Sequence, residues 1–420
     1  MLSTDDLGRV ARAGPGAGLL TRRSAAVAFL AFAFAYFFSA LLRAVTATLS
    51  PTLTAQFHLN ARDLGLLAGG FFLGFAATQL PLGKWLDRHG PKQVIVALLL
   101  LAVIGCIAFS VASGFWGLLA ARVLCGVGVS ACLMAPLTGF RRWLTPASQL
   151  RANSWMLMTG SFGMLASTLP VQWLVPVVGW RPLFWALAVG VALSMAVIGW
   201  SVPAWHAAPA HAGAAAGSYA QVWRHPYFRR LAPIGFFGYG GMISIQTLWA
   251  GPWMVRVAGY APLESATGLF IINSAMLCTF LAWGVVTPWL TRHGFTTNRL
   301  IAAGTPLSFL VLALIIVAGP AAGALAWSMY CVSSTFLALA QPSVGLAFPQ
   351  ALAGRALSAY NLVVFAGVFV VQWGIGLLID GFAALGAGEV TSFRAAMAVF
   401  LGCCILSYGW FVAAADNSDR

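Results

Sequence analysis

Long apolar stretches alternate with short polar ones along almost the whole chain, from Ser24 to about Ala415. Each apolar stretch holds about twenty residues, which is enough for a helix to cross the hydrocarbon core of a bilayer. Lipid offers the backbone no hydrogen-bond partners, so such stretches form helices. The pattern predicts an all-α polytopic membrane protein with twelve transmembrane helices. We expect them near 24–50, 63–86, 93–113, 116–140, 153–178, 181–202, 229–258, 264–290, 299–319, 321–348, 355–380 and 392–415.

Two sets of six predicted helices repeat each other. Trp85–Gly90 follows the second helix, and Trp289–Gly294 follows the eighth with five of six residues identical. Weaker matches occupy equivalent helices: Pro136 and Gly139 with Pro342 and Gly345, and 171–173 with 371–373. The repeats indicate two pseudo-symmetric six-helix bundles related by an axis along the membrane normal. The predicted domains are a tail at 1–23, a bundle at 24–202, a linker at 203–228, a bundle at 229–415 and a tail at 416–420.

Composition agrees with a membrane location. The residues are 60% hydrophobic and 8% charged, whereas soluble domains carry about 25% charged residues. If the N-terminus is cytoplasmic, seventeen of the 23 basic residues fall in cytoplasmic segments. The opposite side then holds four, namely Arg62, Arg181, Arg256 and Arg394. This bias predicts a bacterial inner (plasma) membrane protein with both termini and the linker in the cytoplasm. The net charge of +14 is explained by lipid headgroups and needs no nucleic acid.

Two motifs carry a resemblance to a known family. The loop after the second helix contains Gly-x-x-x-Asp-Arg-x-Gly at residues 83–90, followed by Pro91 and Lys92. The fourth helix contains Arg-x-x-x-Gly-x-Gly at residues 122–128. Together with the topology, these motifs resemble the major facilitator superfamily (MFS) from about residue 24 to 415. Pro91 departs from the first of the two basic positions that end the family's loop motif.

The resemblance implies that the loop at 83–92 latches a cytoplasmic gate. We expect Gly83 to let helices approach closely and Gly90 to permit a tight turn. Asp87 can face the positive end of a neighbouring helix, and Arg88 can pair across the seam between the halves. Alternatively, the loop only enforces topology. Thr291 replaces the acid in the second copy, which cannot offer the same latch. The predicted gate residues are Gly83, Asp87, Arg88, Gly90 and Lys92.

Charged residues inside a membrane are costly and usually functional. Within the predicted helices they are Arg43 in the first and Arg122 in the fourth. No carboxylate lies at comparable depth, since Asp87 is in a loop and Asp380 is near the outer end of the eleventh helix. Arg43 shares a helix face with Tyr36, and its guanidinium could bind a carboxylate or phosphate. Alternatively, Arg43 extends to the outer interface, and Arg122 has a scaffold or gating role.

Polar and aromatic residues extend the candidate site. The seventh helix places Tyr239, Gln246, Trp249 and Trp253 on one stripe, which suits a binding wall. The alternative is helix packing, with Trp253 at the outer interface. Lone amides in the eighth, tenth and eleventh helices are further candidates, although each could instead bond between helices. The candidate substrate-binding residues are Tyr36, Arg43, Arg122, Tyr239, Gln246, Trp249, Asn273, Gln341 and Asn361.

These features favour a secondary active or facilitative transporter that moves a small solute by alternating access. The favoured substrate is a small organic anion, because two buried arginines have no compensating acid. The alternative is efflux of hydrophobic compounds, although the fifth helix lacks the Gly-Pro-x-x-Gly-Gly run of such exporters. A membrane enzyme or sensor is a remote alternative, because no catalytic constellation lies at depth. No phosphate-binding Gly-x-x-x-x-Gly-Lys loop occurs.

The expected partners follow from this interpretation. They are a small-molecule substrate and membrane lipids, without nucleic acid. We expect a functional monomer with no cofactor, no catalytic residues and no metal site. The seven cysteines lie inside apolar stretches without spacing typical of disulfides or metal sites.

Overall fold

The computed structural model of the chain describes residues 19–204 and 218–414. Residues 19–204 form six helical crossings of the molecule, which we number in chain order. Their bounds are α1 Arg22–Phe57; α2 Ala61–Ala77, continued by the first turns of Gln79–Val111; α3 the rest of Gln79–Val111 after a break at Gly90; α4 Phe115–Val129 with Met134–Trp143; α5 Pro146–Ala166 with Leu169–Val178; and α6 Trp180–Ser201.

The second described range begins with a short helix, Tyr219–Arg224, and then crosses the bundle six more times. The bounds are α7 Pro226–Pro233, Ile234–Tyr239, Gly240–Ser244, Ile245–Trp249 and Ala250–Arg256; α8 Pro262–Arg292; α9 Thr297–Ala318; α10 Ala324–Ser333, Ser334–Leu339 and Ala340–Leu346; α11 Gln350–Ala384; and α12 Glu389–Ala413. Residues 1–18 of the predicted N-terminal tail, 205–217 of the linker, and the whole tail at 416–420 lie outside the described residues.

The twelve crossings differ in regularity. Within the described ranges, eight helices are long and apolar enough to cross a membrane, and the bent pair that forms α5 makes a ninth. The other three are short or interrupted. Ala61–Ala77 has 17 residues, α7 contains two π-helical segments, and α10 contains the 3₁₀ segment Ser334–Leu339. Irregular backbone inside a membrane is typical of helices that line a binding cavity.

Helix α1 is longer than predicted. It was expected to end near Ser50, before Pro51, but it continues to Phe57. Proline is tolerated in such a helix because neighbouring groups satisfy the freed backbone carbonyl. His58 ends the helix in a left-handed conformation with φ 50°. The extension places Arg43 well inside the helix, fourteen residues before its end.

The turn predicted between α2 and α3 is present. Gly90 has φ 78°, which side chains adopt only with strain. Its counterpart in the second half, Gly294, has φ 79°. The two copies of the repeated loop therefore share their backbone conformation as well as their sequence. We call this side of the molecule the Gly90 end, and the opposite side the Asp380 end.

Glycines bring α2 into backbone contact with helices of both halves. A Cβ added at Gly126 of α4 would collide with the Phe71 carbonyl oxygen of α2. A Cβ at Gly65 of α2 would collide with the Gln372 carbonyl oxygen of α11. Small residues at such crossings allow the close packing that holds membrane helices together. Helix α2 therefore joins the two halves.

The Asp380 end is also closed by α1 and α7. The later segments of α7, from Ile245 to Arg256, pack against α1. A Cβ at Gly251 would lie 3.2 Å from the Ala47 carbonyl oxygen. The earlier segments of α7 instead pack against α11, α12 and α10, within their own half. The halves are therefore tightly joined at the Asp380 end.

Replacing Gly126 by Ala tests the α2–α4 crossing. The added methyl group would meet the backbone of α2, so we expect a loss of about 1–3 kcal/mol of stability and a lower midpoint of thermal unfolding in detergent. Gly199→Ala in α6 is the control, because its added Cβ meets nothing within 4 Å. Helix propensity predicts an unchanged or slightly higher midpoint there. Equal midpoints for the two variants would contradict the crossing.

Candidate functional site

Arg43 lies where the two halves meet. Its Cζ atom is 5.6 Å from the ring centroid of Phe75 in α2 and 5.7 Å from that of Phe365 in α11. The two rings are 4.4 Å apart, centroid to centroid. A guanidinium is attracted to aromatic faces at such distances. One cation is therefore held between a ring of the first half and a ring of the second.

The guanidinium of Arg43 is incompletely satisfied. Its Nε is buried and has no hydrogen-bond partner among the described residues. The same is true of the Ser39 Oγ, one turn earlier on α1. The alternative that Arg43 extends to the interface does not fit the structure, because α1 continues for about 21 Å beyond it.

Two tyrosines accompany Arg43. Tyr36 of α1 and Tyr239 of α7 are both close enough to Arg43, and to each other, to interact electrostatically. Tyr36 is buried and packs across Gly160 of α5, where a Cβ would meet its ring. Tyr239 ends the first π-helical segment of α7. The structure thus brings together three predicted site residues, Tyr36, Arg43 and Tyr239, from both halves.

Arg122 has a different position. It is fully buried, its Nη1 donates to the Leu42 carbonyl at 2.8 Å, and its Cζ lies 4.8 Å from the Phe71 centroid. Its Nε and Nη2 have no partner among the described residues. The bonded carbonyl belongs to the residue before Arg43. Arg122 therefore fixes α1 at that point, which favours the scaffold role over direct contact with a solute.

The aromatic stripe of α7 is packed inside the second half. Trp249 and Trp253 have no exposed surface. The Trp249 Nε1 donates to the Gln372 carbonyl at 3.0 Å, and the Trp253 Nε1 donates to the Ala322 carbonyl at 3.0 Å. Because Trp253 is enclosed against Trp327, it does not lie at the interface. This part of the stripe corresponds to helix packing rather than to a wall open to solute.

The predicted amides form pairs between helices. The Gln246 Nε2 of α7 donates to the Asn273 Oδ1 of α8 at 3.0 Å. The Gln341 Nε2 of α10 donates to the Asn361 Oδ1 of α11 at 2.8 Å. Gln341 remains partly exposed, whereas Asn361 is buried. Interhelical bonding is the common role of a lone membrane amide, so only the second pair keeps an accessible member.

The gate loop is open to solvent in this conformation. Asp87 and Arg88 are exposed, and neither takes part in an ion pair within the described ranges. The pairing across the seam expected of Arg88 is therefore not formed here. Gly83 is not needed for close approach, since an added Cβ would lie 3.9 Å from the Ser358 Oγ, an ordinary contact. Lys92 is partly buried at the start of α3.

The linker contributes a residue beside this loop that the sequence did not single out. Tyr219 donates a 3.0 Å hydrogen bond to the Leu80 carbonyl of α2. Burial raises the pKa of the Tyr219 hydroxyl; the Asp87 carboxylate raises it as well, and the Arg355 guanidinium lowers it. The helix Tyr219–Arg224 thus lies between the gate loop and the beginning of α11.

Among the described residues, the acidic side chains near the seam lie at the ends of the molecule. In the described ranges, ion pairs join Arg62 to Asp63 at 3.5 Å and Arg256 to Glu389 at 2.7 Å. Both pairs lie at the Asp380 end and are partly exposed to solvent. Neither includes Arg43, so its charge has no acidic partner in the described chain.

Similar proteins agree with this architecture. Inner membrane transport protein YajR of Escherichia coli is 27% identical over 238 residues, 54% of this chain and 48% of that protein. The probable sulfoacetate transporter SauU of Cupriavidus necator is 28% identical over 40% of this chain and 37% of its own. Multidrug resistance protein MdtL of Shigella flexneri is 30% identical over 34% and 37%. The matches span about half of these relatives or less.

Solved structures show the fold. A bacterial homologue of the human lysosomal transporter Spinster, in an inward-facing conformation, matches 94% of this chain and 98% of its own with a TM-score of 0.74 and 16% identity. The D-xylose–proton symporter matches 92% and 96% with a TM-score of 0.75 and 14% identity. The predicted twelve-helix fold of two six-helix bundles is confirmed. The family pattern described as Major Facilitator Superfamily matches residues 32–372, and the chain belongs to that family of membrane transporters.

Proposed function

We propose that the protein is a secondary transporter that carries a small organic anion by alternating access, with Arg43 as the anion-binding residue. The observation that carries the proposal is the position of this guanidinium. It lies at the seam between the halves, against Phe75 and Phe365, without an acidic partner in the described chain. Solute sites of such folds lie near the membrane midplane at this seam.

Energetics support an anionic substrate. A charged group that is partly withdrawn from water loses part of its hydration energy unless an opposite charge compensates for the loss. Arg43 is partly buried. Arg43 is held by aromatic rings, and its Nε has no hydrogen-bond partner among the described residues. A carboxylate, sulfonate or phosphate could accept two parallel bonds from the guanidinium. Binding the anion would therefore stabilise a state that is otherwise electrostatically costly.

The surroundings of Arg43 favour a small substrate. The hydroxyl groups of Tyr36 and Tyr239 interact with the same guanidinium, and the Ser39 Oγ is buried without a partner. These hydroxyl groups can donate to further oxygens of an anion. Phe75 and Phe365 offer apolar contact for a short carbon skeleton. We propose that the anionic group contacts Arg43 and that the rest of the solute contacts these side chains.

The orientation follows from the distribution of positive charge. Seventeen of the 23 basic residues lie in segments that belong to the Gly90 end or to the tails and linker. We therefore place the Gly90 end and both termini in the cytoplasm. The tightly joined Asp380 end then faces outward, and the exposed Asp87 and Arg88 lie at the cytoplasmic end.

The names of the relatives support the proposed anionic substrate and also one alternative function. SauU is named as a probable sulfoacetate transporter, and sulfoacetate is an organic anion. MdtL, named as a multidrug resistance protein, favours export of hydrophobic compounds. An open, largely apolar groove of about 440 Å³ between α8, α9 and α10, within the second half, is a surface on which a hydrophobic compound could bind. Its residues include Trp283, Leu307, Met329 and Phe336.

Replacing Arg43 tests the anion proposal. Purified protein is screened by thermal shift with carboxylates, sulfonates and phosphates, since a bound solute raises the unfolding midpoint. For an anion that stabilises the parent, we expect Arg43→Ala to weaken binding about 10- to 100-fold, because charge-assisted bonds contribute roughly 1.5–3 kcal/mol. Arg43→Lys should fall between, since an ammonium cannot bind bidentately.

Arg23→Gln is the matched control for this measurement, because it removes a charge from an exposed position of the same helix. Its affinity for the anion should equal that of the parent. Uptake of the labelled anion into proteoliposomes should follow the same order. An Arg43→Ala variant that binds the anion as tightly as the parent would overturn the assignment.

Drug export is tested by susceptibility. Under the anion proposal, a strain that overproduces the protein should tolerate hydrophobic drugs no better than one that overproduces the Arg43→Ala variant. The measurement is the minimal inhibitory concentration for a panel of lipophilic compounds. An increase of fourfold or more that depends on Trp283 or Phe336 of the α8–α10 groove, and not on Arg43, would favour the alternative function.

A further inference from the structure

Helices α2 and α11 run antiparallel and stay in contact along their length. At the Asp380 end, a Cβ on Gly376 would collide with the Ala61 carbonyl oxygen. In the middle, Phe75 faces Phe365. Near the Gly90 end, Gly83 is next to Ser358. This register brings the last turn of each helix next to the first turn of the other.

Asp380 binds the start of α2. Its Oδ1 accepts from the Ala61 N–H at 3.1 Å, and its Oδ2 accepts from the Arg62 N–H at 2.8 Å. Asn60 satisfies the next free N–H, that of Asp63, at 2.8 Å. The first N–H groups of a helix have no partner within it and carry a positive partial charge. A carboxylate bonded to two of them is a favourable arrangement.

This contact differs from the other charged contacts around it because it crosses the seam. Arg62 and Asp63 pair within α2, and Arg256 of α7 pairs with Glu389 of α12 within the second half. Asp380 belongs to the second half, whereas both of its donors belong to the first. Separating the halves at this end would break both bonds and leave the Ala61 and Arg62 N–H groups without their acceptor, although the Asn60 cap would remain.

We propose that Asp380 is the latch that keeps this end of the transporter closed. The register makes it the counterpart of Asp87, which lies at the other end of the same helix pair, near the first turns of α11. In the present conformation Asp380 is engaged, whereas Asp87 is exposed and outside any ion pair of the described residues. Of the two carboxylates, Asp380 caps the partner helix in this conformation, whereas Asp87 makes no such bond among the described residues.

The inference rests on the proposed function in one respect only, namely the side of the membrane to which the Asp380 end opens. The bonds themselves do not depend on the substrate. The test therefore uses no ligand, so its outcome is independent of the Arg43 measurements. If the latch test fails, the anion-site proposal is unaffected. If the anion-binding test fails, the latch proposal is unaffected.

The test measures distances across the seam in lipid nanodiscs. Spin labels at Val177→Cys in α5 and Leu385→Cys after α11 report on the Asp380 end, since both side chains are more than four-fifths exposed. Cys278 is replaced by Ser, because it is also exposed. The labels are far apart when the halves are separated at this end and closer together when the halves are joined. We expect Asp380→Ala to raise the ratio of the separated to the joined population at least tenfold. A distribution identical to that of the parent would overturn the proposal.

Glu389→Gln is the matched control. It removes one negative charge beside the same seam but breaks only a pair within the second half. We expect its distance ratio to stay within twofold of the parent. If it opens the end as much as Asp380→Ala does, the effect is one of net charge, and the latch is refuted.

A second variant keeps the proposal testable if Asp380→Ala does not fold. Gly376→Ala leaves the carboxylate intact but places a methyl group against the Ala61 carbonyl, so it should also favour the separated distance. Gly381→Ala is its control, because nothing lies within 4 Å of the added Cβ. If the halves stay joined at the Asp380 end in the Gly376→Ala variant, the α2–α11 register on which the latch depends is contradicted.

Discussion

The contact between α2 and α11 is the constraint on which the rest of the structure depends. It brings backbone against backbone because Gly65 and Gly376 lack side chains. Lipid provides no hydrophobic driving force between helices, so such close packing supplies much of the attraction. The same register sets Phe75 against Phe365 and places Asp380 over the start of α2. Both the candidate binding site and the candidate latch are therefore consequences of one helix pair.

Electrostatics explains why this seam is suited to switching. Arg43 carries its charge between the halves, beside aromatic rings and without an acidic partner in the described part of the chain. Arg122 fixes the carbonyl of the preceding residue, so the position of α1 at this depth is well defined. An arriving anion would change the energy of the seam more than a neutral solute could. A transporter needs such a difference, because a ligand shifts a conformational equilibrium only through unequal affinity for the states.

The sequence predicted those features that depend on local pattern. Apolar length predicted the twelve crossings, and glycine predicted the turn at Gly90, because both follow from the chain's immediate neighbours. The full length of α1 was missed, since the helix was expected to end near Ser50 but continues to Phe57. The boundaries given for the two bundles, 24–202 and 229–415, stay a prediction.

Contacts between residues far apart along the chain could not be predicted from the sequence. Asp380 was visible as a carboxylate near a helix end, but its donors lie 318 and 319 positions away along the chain. The amides were recognised as buried, yet their pairing depends on which helices become neighbours. Glycines spaced four apart on α2, at Gly65 and Gly69, were the available signal for the α2–α11 crossing.

The most direct measurement of the central claim is an experimental structure of the protein with a stabilising anion bound. The account predicts that a carboxylate, sulfonate or phosphate oxygen lies within about 3 Å of the Arg43 guanidinium. It also predicts that the remainder of the ligand contacts Tyr36 and Tyr239. An anion bound elsewhere, for instance between α8 and α10, with no ligand oxygen near the Arg43 guanidinium, would contradict it.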